Sequence, residues 1–230
     1  MLVLALDTST DAVVVGLVEV PGDGAVQVIV EQARPGARQH GEQLMPAVLE
    51  VCASAGVRTA ELDAVVCGVG PGPFTGLRVG IASAAALADA LGVPAHGVCS
   101  LDAVAASADL GEPLLVVTDA RRREVYWAAY VGARRTHGPA VEAPATLAAR
   151  VAELGVRRVA GTVADVYAEL FGLPVHAVRA PSPAGLVAAA TGALRAGALR
   201  SGDQPGPLEP LYLRRPDAVP PTARKRVTVA

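Results

Sequence analysis

Apolar residues recur in two rhythms along this chain, and the change from one to the other marks its elements. Leu2-Val-Leu-Ala-Leu6 and Ala12-Val-Val-Val-Gly-Leu-Val18 are short apolar runs on either side of Asp7-Thr-Ser-Thr-Asp11, a pattern that predicts a β-hairpin. The arrangement returns 112 residues later as Leu114-Leu-Val-Val117, Asp119-Ala-Arg-Arg-Arg123 and Val125-Tyr-Trp-Ala-Ala-Tyr-Val131. In both copies an Asp closes the first strand, and six residues on the second strand is running, at Val13 and Val125. Matched hairpins suggest a duplicated lobe, because one such unit cannot bury its sheet face alone.

Between and after the hairpins the rhythm alternates. A strand is predicted at 26–31, then a helix at 39–55 with Leu44, Val48, Val51, Cys52 and Ala55 on one side. Pro46 inside that helix predicts a kink or a late start. A strand at 62–67, a helix at 76–91, a strand at 95–98 and a helix from 100 or 101 to 108 complete the first half. The second half adds helices at 145–154, 163–170 and 183–196 around short strands at 157–160 and 175–178. This alternation predicts an α/β fold of mixed sheets with helices on both faces.

The connection from the strand at 62–67 to the helix at 76–91 is the most distinctive segment. Gly68 to Gly80 packs five glycines and two prolines into thirteen residues. A strand, a glycine loop and a helix form the layout that presents backbone N–H groups to an anion or a partner surface. No Gly-Lys-Ser/Thr follows, which excludes a P-loop, and Pro73 stands where the dinucleotide fingerprint needs glycine. Thr75 is placed to cap a helix beginning at Gly76. Along that helix Gly76, Gly80, Ala84 and Ala88 recur every fourth residue. Such a smooth stripe serves either packing within the lobe or a helix–helix subunit interface. Arg78 opposes the helix dipole in the first turn, which makes sense if it meets an acidic or phosphate group.

Composition narrows the function classes. Of the 230 residues 52% are hydrophobic but only 3% aromatic, which suits close-packed α/β layers rather than a disulfide scaffold. Three cysteines, Cys52, Cys67 and Cys99, stand in apolar contexts and read as buried thiols of a cytoplasmic protein. No signal peptide is expected, and no run reaches about eighteen uninterrupted apolar residues, so no membrane span is expected either. His40, His96, His137 and His176 are widely dispersed, and a zinc peptidase needs two histidines a helical turn apart, so no metal site is expected. The net charge of −2 divides unevenly, with −8 over residues 1–110 and +6 over 111–230. The basic half reads as a solvated face or as a partner surface. It has no aromatic-interleaved RNA-binding motif.

Leu4-Ala-Leu-Asp-Thr-Ser-Thr10, Gly70-Pro-Gly-Pro-Phe-Thr-Gly-Leu-Arg-Val-Gly80, Gly92-Val-Pro94 with Ser100-Leu101, Asp119-Ala-Arg121 with Glu124-Val-Tyr126, and Leu208-Glu-Pro-Leu-Tyr-Leu-Arg214 together resemble the TsaB (YeaZ) family. That bacterial family is required for threonylcarbamoyl modification of tRNA adenosine. Its signature loop falls here on Gly70, Gly72, Phe74 and Thr75. Two positions depart from the family pattern: Pro73 stands for a usual Ser, and Gly41, in His40-Gly41-Glu42, stands for another, with loss of an expected helix N-cap.

The resemblance implies an actin/Hsp70-like (ASKHA) duplicated two-lobe fold, degenerate in its second lobe. Residues 1–108 would form a partner-binding lobe, 109–214 the degenerate lobe, and 215–230 a flexible basic tail. It further implies a non-catalytic or activating subunit of the tRNA threonylcarbamoyladenosine synthase, working with a catalytic TsaD-like paralogue and a small TsaE-like ATPase. The chain is expected to be a homodimer in isolation and to meet tRNA only through the complex. His40, Glu42, Leu44, Val48, Gly76, Arg78, Gly80 and Ala84 would supply the partner interface.

No cofactor is expected to bind tightly, with ATP or ADP admitted at a subunit interface. The nucleotide candidates are Asp7, Thr8, Ser9, Thr10 and Asp119. In ASKHA proteins the matching strand-end Asp and hydroxyl turn lie under the phosphates of ATP. The same residues also suit a polar turn that satisfies its own backbone. Asp119 is expected to face Asp7 across a cleft, while Arg121, Arg122 and Arg123 make its loop either an anion grip or a solvated hairpin tip. The alternative function is a stand-alone ATP-dependent small-molecule kinase or ATPase of the same fold.

Overall fold

The computed structural model describes residues 1–22, 25–36, 39–108, 111–195 and 208–214. The expected tail at 215–230 lies outside them, as does residue 196, the last of the helix expected at 183–196.

Two mixed sheets form the frame. In the first, β1 (Leu2–Asp7), β2 (Ala12–Glu19) and β3 (Gln27–Pro35) run antiparallel, while β4 (Ala64–Gly68) and β5 (Ala95–Val98) join parallel, in the order β3-β2-β1-β4-β5. In the second, β6 (Pro113–Asp119), β7 (Val125–Val131) and β8 (Arg134–Glu142) repeat that meander, and β9 (Arg158–Ala160) pairs parallel with β6. A single bridge, Val159 to Val175, stands where β5 would have its counterpart, so no full strand forms at 175–178. β8 was not expected. Its Arg-Arg-Thr-His-Gly-Pro stretch has no apolar alternation, and only pairing with β7 makes it a strand.

Helices α1 (His40–Ser54) and α2 (Phe74–Leu91) cover one face of the first sheet. Helix α1 starts at His40 despite Pro46, so no late start occurs. Its cap position is Gln39, and Gly41 lies already inside the first turn, so the residue there loses no N-cap. The α4 (Pro144–Ala148), α5 (Val151–Leu154) and α6 (Ala164–Phe171) helices cover the second sheet. Among the described residues α2 is long and apolar enough to cross a membrane by length and composition. Its small-residue stripe is nevertheless buried on the first sheet, and Arg78 and Asp89 are exposed on its other faces.

The remaining two helices exchange places. α3 (Ser100–Ala108) leaves the first sheet and packs Leu101, Val104, Ala105 and Ala108 with Leu114, Tyr126, Ala128 and Tyr130 of the second. α7 (Pro183–Arg195) returns from the second half and packs Leu186, Val187 and Ala190 against Val3, Ala5 and Val66 of the first. A boundary at 108/109 therefore describes the chain but not the packing, because each lobe is closed by a helix from the other half's side of that boundary. Tyr130 seals the exchange by donating its hydroxyl to Asp102 at 2.8 Å, with Arg135 paired to the same carboxylate at 3.3 Å.

Candidate functional site

The first hairpin turn is built inward. Asp7 ends β1 and is fully buried. Its Oδ1 accepts from both the N–H and the hydroxyl of Ser9 at 2.7 Å, and its Oδ2 accepts from the Ser100 hydroxyl at 2.6 Å. Burial pushes the Asp7 carboxyl above its ordinary pKa, and the Ser100 and Ser9 donors pull against that shift. Thr8 donates to the carbonyl of Gly76 at 2.7 Å, and the Ala12 N–H donates to Thr10 at 3.3 Å. His40 Nε2 lies 3.0 Å from the Thr10 carbonyl. A carbonyl only accepts, so Nε2 carries the proton and ties the turn to the start of α1.

The glycine loop is the lid over this turn. A Cβ at Gly68 would overlap Asp7 Oδ2, one at Gly72 the Ser9 carbonyl, one at Gly76 the Thr8 carbonyl and one at Gly80 the Thr8 hydroxyl. Gly70, at φ +97°, donates its N–H to Ser100 Oγ at 3.2 Å. The glycines therefore bring backbone against backbone, and they leave no space between loop and turn for a phosphate. Helix α2 begins at Phe74 with Pro73 at its cap position, so Thr75 is an exposed first-turn residue and caps nothing.

Among the described residues Arg78 pairs with no carboxylate. Its guanidinium lies 3.8 Å over the Phe74 ring, its Nε–H donates to the Tyr212 hydroxyl at 3.0 Å, and Phe74 and Tyr212 stack at 5.1 Å.

The second hairpin turn is built outward. Asp119 caps its own turn by accepting from the Arg121 N–H at 2.9 Å, and its N–H donates to Thr162 Oγ1 at 3.2 Å. Arg121, Arg122 and Arg123 all adopt left-handed backbone, at φ 62°, 50° and 62°. Non-glycine residues do this at a cost of about 1–2 kcal/mol each. Arg121 then reaches across to Asp11 at 2.9 Å. Between the turns lies a cleft of about 180 Å³ lined by Ser9, Thr10, Asp11, Pro73, Thr118, Asp119, Arg121, Thr162 and Val163. Asp7 is not among them. The residue facing the second turn is Asp11, because Asp7 points away into its own lobe.

Most of the expected interface residues also face inward. His40, Leu44, Val48, Gly76, Gly80 and Ala84 are buried within the first lobe, so they cannot meet a partner without unfolding it. Periodicity identified the buried side of each helix, and partner contact would need the opposite side. Only Glu42 and Arg78 of that set are exposed. The outward faces carry Met45 and Leu49, at 36% and 57% exposure, with exposed Ala82, Ala85 and Ala86 on α2. Residues missed from sequence are Ser100, Asp11, Thr118, Thr162, Tyr212 and Arg214. Ser100, Tyr212 and Arg214 stood in the quoted family segments, but nothing local showed what they touch.

Residues 32–194 match the family described as TsaD, tRNA N6-adenosine threonylcarbamoyltransferase. An uncharacterised protein of Mycobacterium tuberculosis is 52% identical over 218 residues, 95% of this chain and 94% of that one. The tRNA threonylcarbamoyladenosine biosynthesis protein TsaB of Escherichia coli is 36% identical over 133 residues, 56% of this chain and 55% of its own. The solved structure of YeaZ from Pseudomonas aeruginosa superposes with a TM-score of 0.71 at 28% identity, covering 92% of this chain and all of the other. This chain belongs to the TsaB/YeaZ family. Its two matched lobes are the actin/Hsp70-like ASKHA fold.

That fold implies a nucleotide in the cleft, and the residues of this chain do not fit one. Small-molecule pockets run to about 300–1,000 Å³, against about 180 Å³ here. The carboxylate expected under the phosphates is fully buried and accepts three hydrogen bonds from Ser9 and Ser100. Among the described residues no three of His, Cys, Asp and Glu come together as a metal-ligand set. Cys52, Cys67 and Cys99 are free and buried.

Proposed function

We propose that this chain is a non-catalytic, activating subunit of the tRNA N6-threonylcarbamoyladenosine synthase, binding a catalytic TsaD-like paralogue through the outward faces of α1 and α2. The family gives it a role in tRNA threonylcarbamoyladenosine biosynthesis. The observation that carries the finer reading is Asp7: a carboxylate fully buried and held by two serines cannot reach a metal-bound water or a substrate. What remains is surface, and the exposed Met45 and Leu49 of α1 and the exposed alanines of α2 are apolar positions that a partner helix can cover. Without the paralogue the same face pairs two copies of this chain.

In this reading the complex works in the cytoplasm, with a TsaE-like ATPase joining it. Nucleotide, where held, sits at the subunit junction, and tRNA is met through the complex. The arginines of the second lobe support indirect contact, since Arg135, Arg150, Arg158, Arg179 and Arg214 are each paired with a carboxylate. The stand-alone kinase alternative needs two open phosphate loops, and the sealed Asp7 turn counts against it.

The test is to combine the chain with its paralogue, the small ATPase, tRNA and the threonylcarbamoyl donor, and to follow modified tRNA. Modification should depend on this chain and should fall at least tenfold with Leu49→Asp, which leaves the buried face untouched. Full modification without the chain would overturn the proposal. Tight ATP binding and turnover by the isolated chain, abolished by Asp7→Asn, would restore the kinase.

A further inference from the structure

We propose that residues 208–214 are an intramolecular strap that sets the aperture of the cleft between the two hairpin turns, anchored by Phe74 and Arg78 and acting through Arg214. Within seven residues this segment touches both lobes. Leu208 packs against the first-lobe core beneath α1 and α2, and the Leu211 N–H donates to the Val69 carbonyl at 2.8 Å, at the foot of the glycine loop. Leu213 then enters the core that α3 shares with the second sheet, and Leu211 packs there as well. Arg214 finishes on the second hairpin, donating to the Ala120 carbonyl at 2.8 Å and pairing with Glu124 at 2.8 Å.

Those two contacts bracket the left-handed loop at 121–123. Charge-assisted bonds at both ends of a strained loop keep it folded back, and Arg121 at its head reaches across to Asp11 of the first lobe. The contacts thus close a ring. Phe74 and Arg78 hold Tyr212, Arg214 holds the loop, Arg121 holds Asp11, and Pro73, next to Phe74, lines the cleft that the ring encloses.

The ring has a release point. Phe74 and Tyr212 remain 48% and 42% exposed, so their stacking is a surface contact that can part while Leu208, Leu211 and Leu213 stay packed on the two cores. Thr118 lines the cleft, and among the described residues its buried hydroxyl has no hydrogen-bond partner. An open strap would bring water to that hydroxyl.

Thr118→Cys makes the opening measurable, because Cys52, Cys67 and Cys99 are buried. In the full chain, a thiol reagent should label this position slowly. Tyr212→Ala and Arg214→Gln, each added to Thr118→Cys, should speed labelling on the order of tenfold. The rate at Cys52, which reports global unfolding, should stay unchanged. Phe74→Ala should match Tyr212→Ala and add little to it, since both cut one link. Unchanged labelling in both strap variants would overturn the proposal, as would equal acceleration at Cys52. Should Tyr212→Ala not fold, Arg214→Gln decides alone, since the bonds of that half-buried side chain go to Ala120 and Glu124 at the two ends of the loop.

Discussion

Asp7 and Asp119 end the same strand in two copies of one hairpin, yet the first is fully buried and the second has a side chain 45% exposed. The register shows part of the cause. Asp7 pairs with Val14 but Asp119 with Val125, so the second turn is one residue shorter and folds through left-handed arginines. The cover supplies the rest. Gly68 to Gly80 lays a glycine backbone over the first turn, and Ser100 reaches in from α3. Over the second turn the matching connection is Gly161-Thr162-Val163, ahead of a helix of only eight residues. Duplication preserved the strand pairing, while the covers decided which carboxylate meets solvent.

The largest test of this contrast is Gly68→Ala. Its Cβ has no space beside Asp7 Oδ2, and the cost should be about 3 kcal/mol or more, read from urea unfolding. A change below about 0.5 kcal/mol would mean that the loop does not lie on the turn. Ser100→Ala comes next. It strips a donor from a buried carboxylate and an acceptor from the Gly70 N–H, for a loss of about 2 kcal/mol. Thr162→Ala, which removes the acceptor of the Asp119 N–H at an exposed site, should cost under about 1 kcal/mol. Equal losses would erase the difference between the turns.

pH sharpens the contrast further. Burial raises the Asp7 pKa in the folded state, so its contribution is fullest below the ordinary value of 3.8 and is lost as pH rises through the folded value. Asp7→Asn removes that dependence. The stability of the variant relative to the parent should therefore improve between pH 4 and neutrality, as followed by unfolding midpoints. His96, on the strand that the second lobe reduces to one bridge, acts the other way. Burial lowers its pKa, so stability is full above 6.5 and falls below it, by no more than about 1.4 kcal/mol per pH unit for one proton. His96→Phe should flatten that slope.

The smallest effect belongs to the exposed turn. Arg123→Gly relieves a left-handed residue but frees the unfolded chain, for a net gain of about 0.5 kcal/mol in urea. A loss there would mean that the Arg123 side chain stabilises the fold.

Much of this was legible in the chain. Short continuous apolar runs located β1, β2, β6 and β7, and the helical period located α1 and α2 together with the faces they bury. The repeat announced two lobes. What escaped notice was whatever depends on distant neighbours. β8 is polar and forms only against β7, and Thr75 lost its cap role because the helix starts earlier, at Phe74. The contacts of Arg78 within the chain, with an aromatic one turn earlier and with Tyr212 from the far end, could not be read from its place in the first turn. The small-residue stripe admitted two uses, and the carbonyl and hydroxyl of Thr8 against Gly76 and Gly80 decide for packing within the lobe.

By itself the sequence determined most of the strands and helices, the duplication and the family, because these rest on local periodicity and on a loop whose glycines are required by close backbone approach. Tertiary structure alone decided that Asp7 is sealed, that α3 and α7 trade lobes, and that residues 208–214 touch both lobes. Burial and hydrogen-bond satisfaction belong to pairs of residues far apart in the chain, such as Asp7 with Ser100 or Arg78 with Tyr212, and no local pattern encodes which pair will meet.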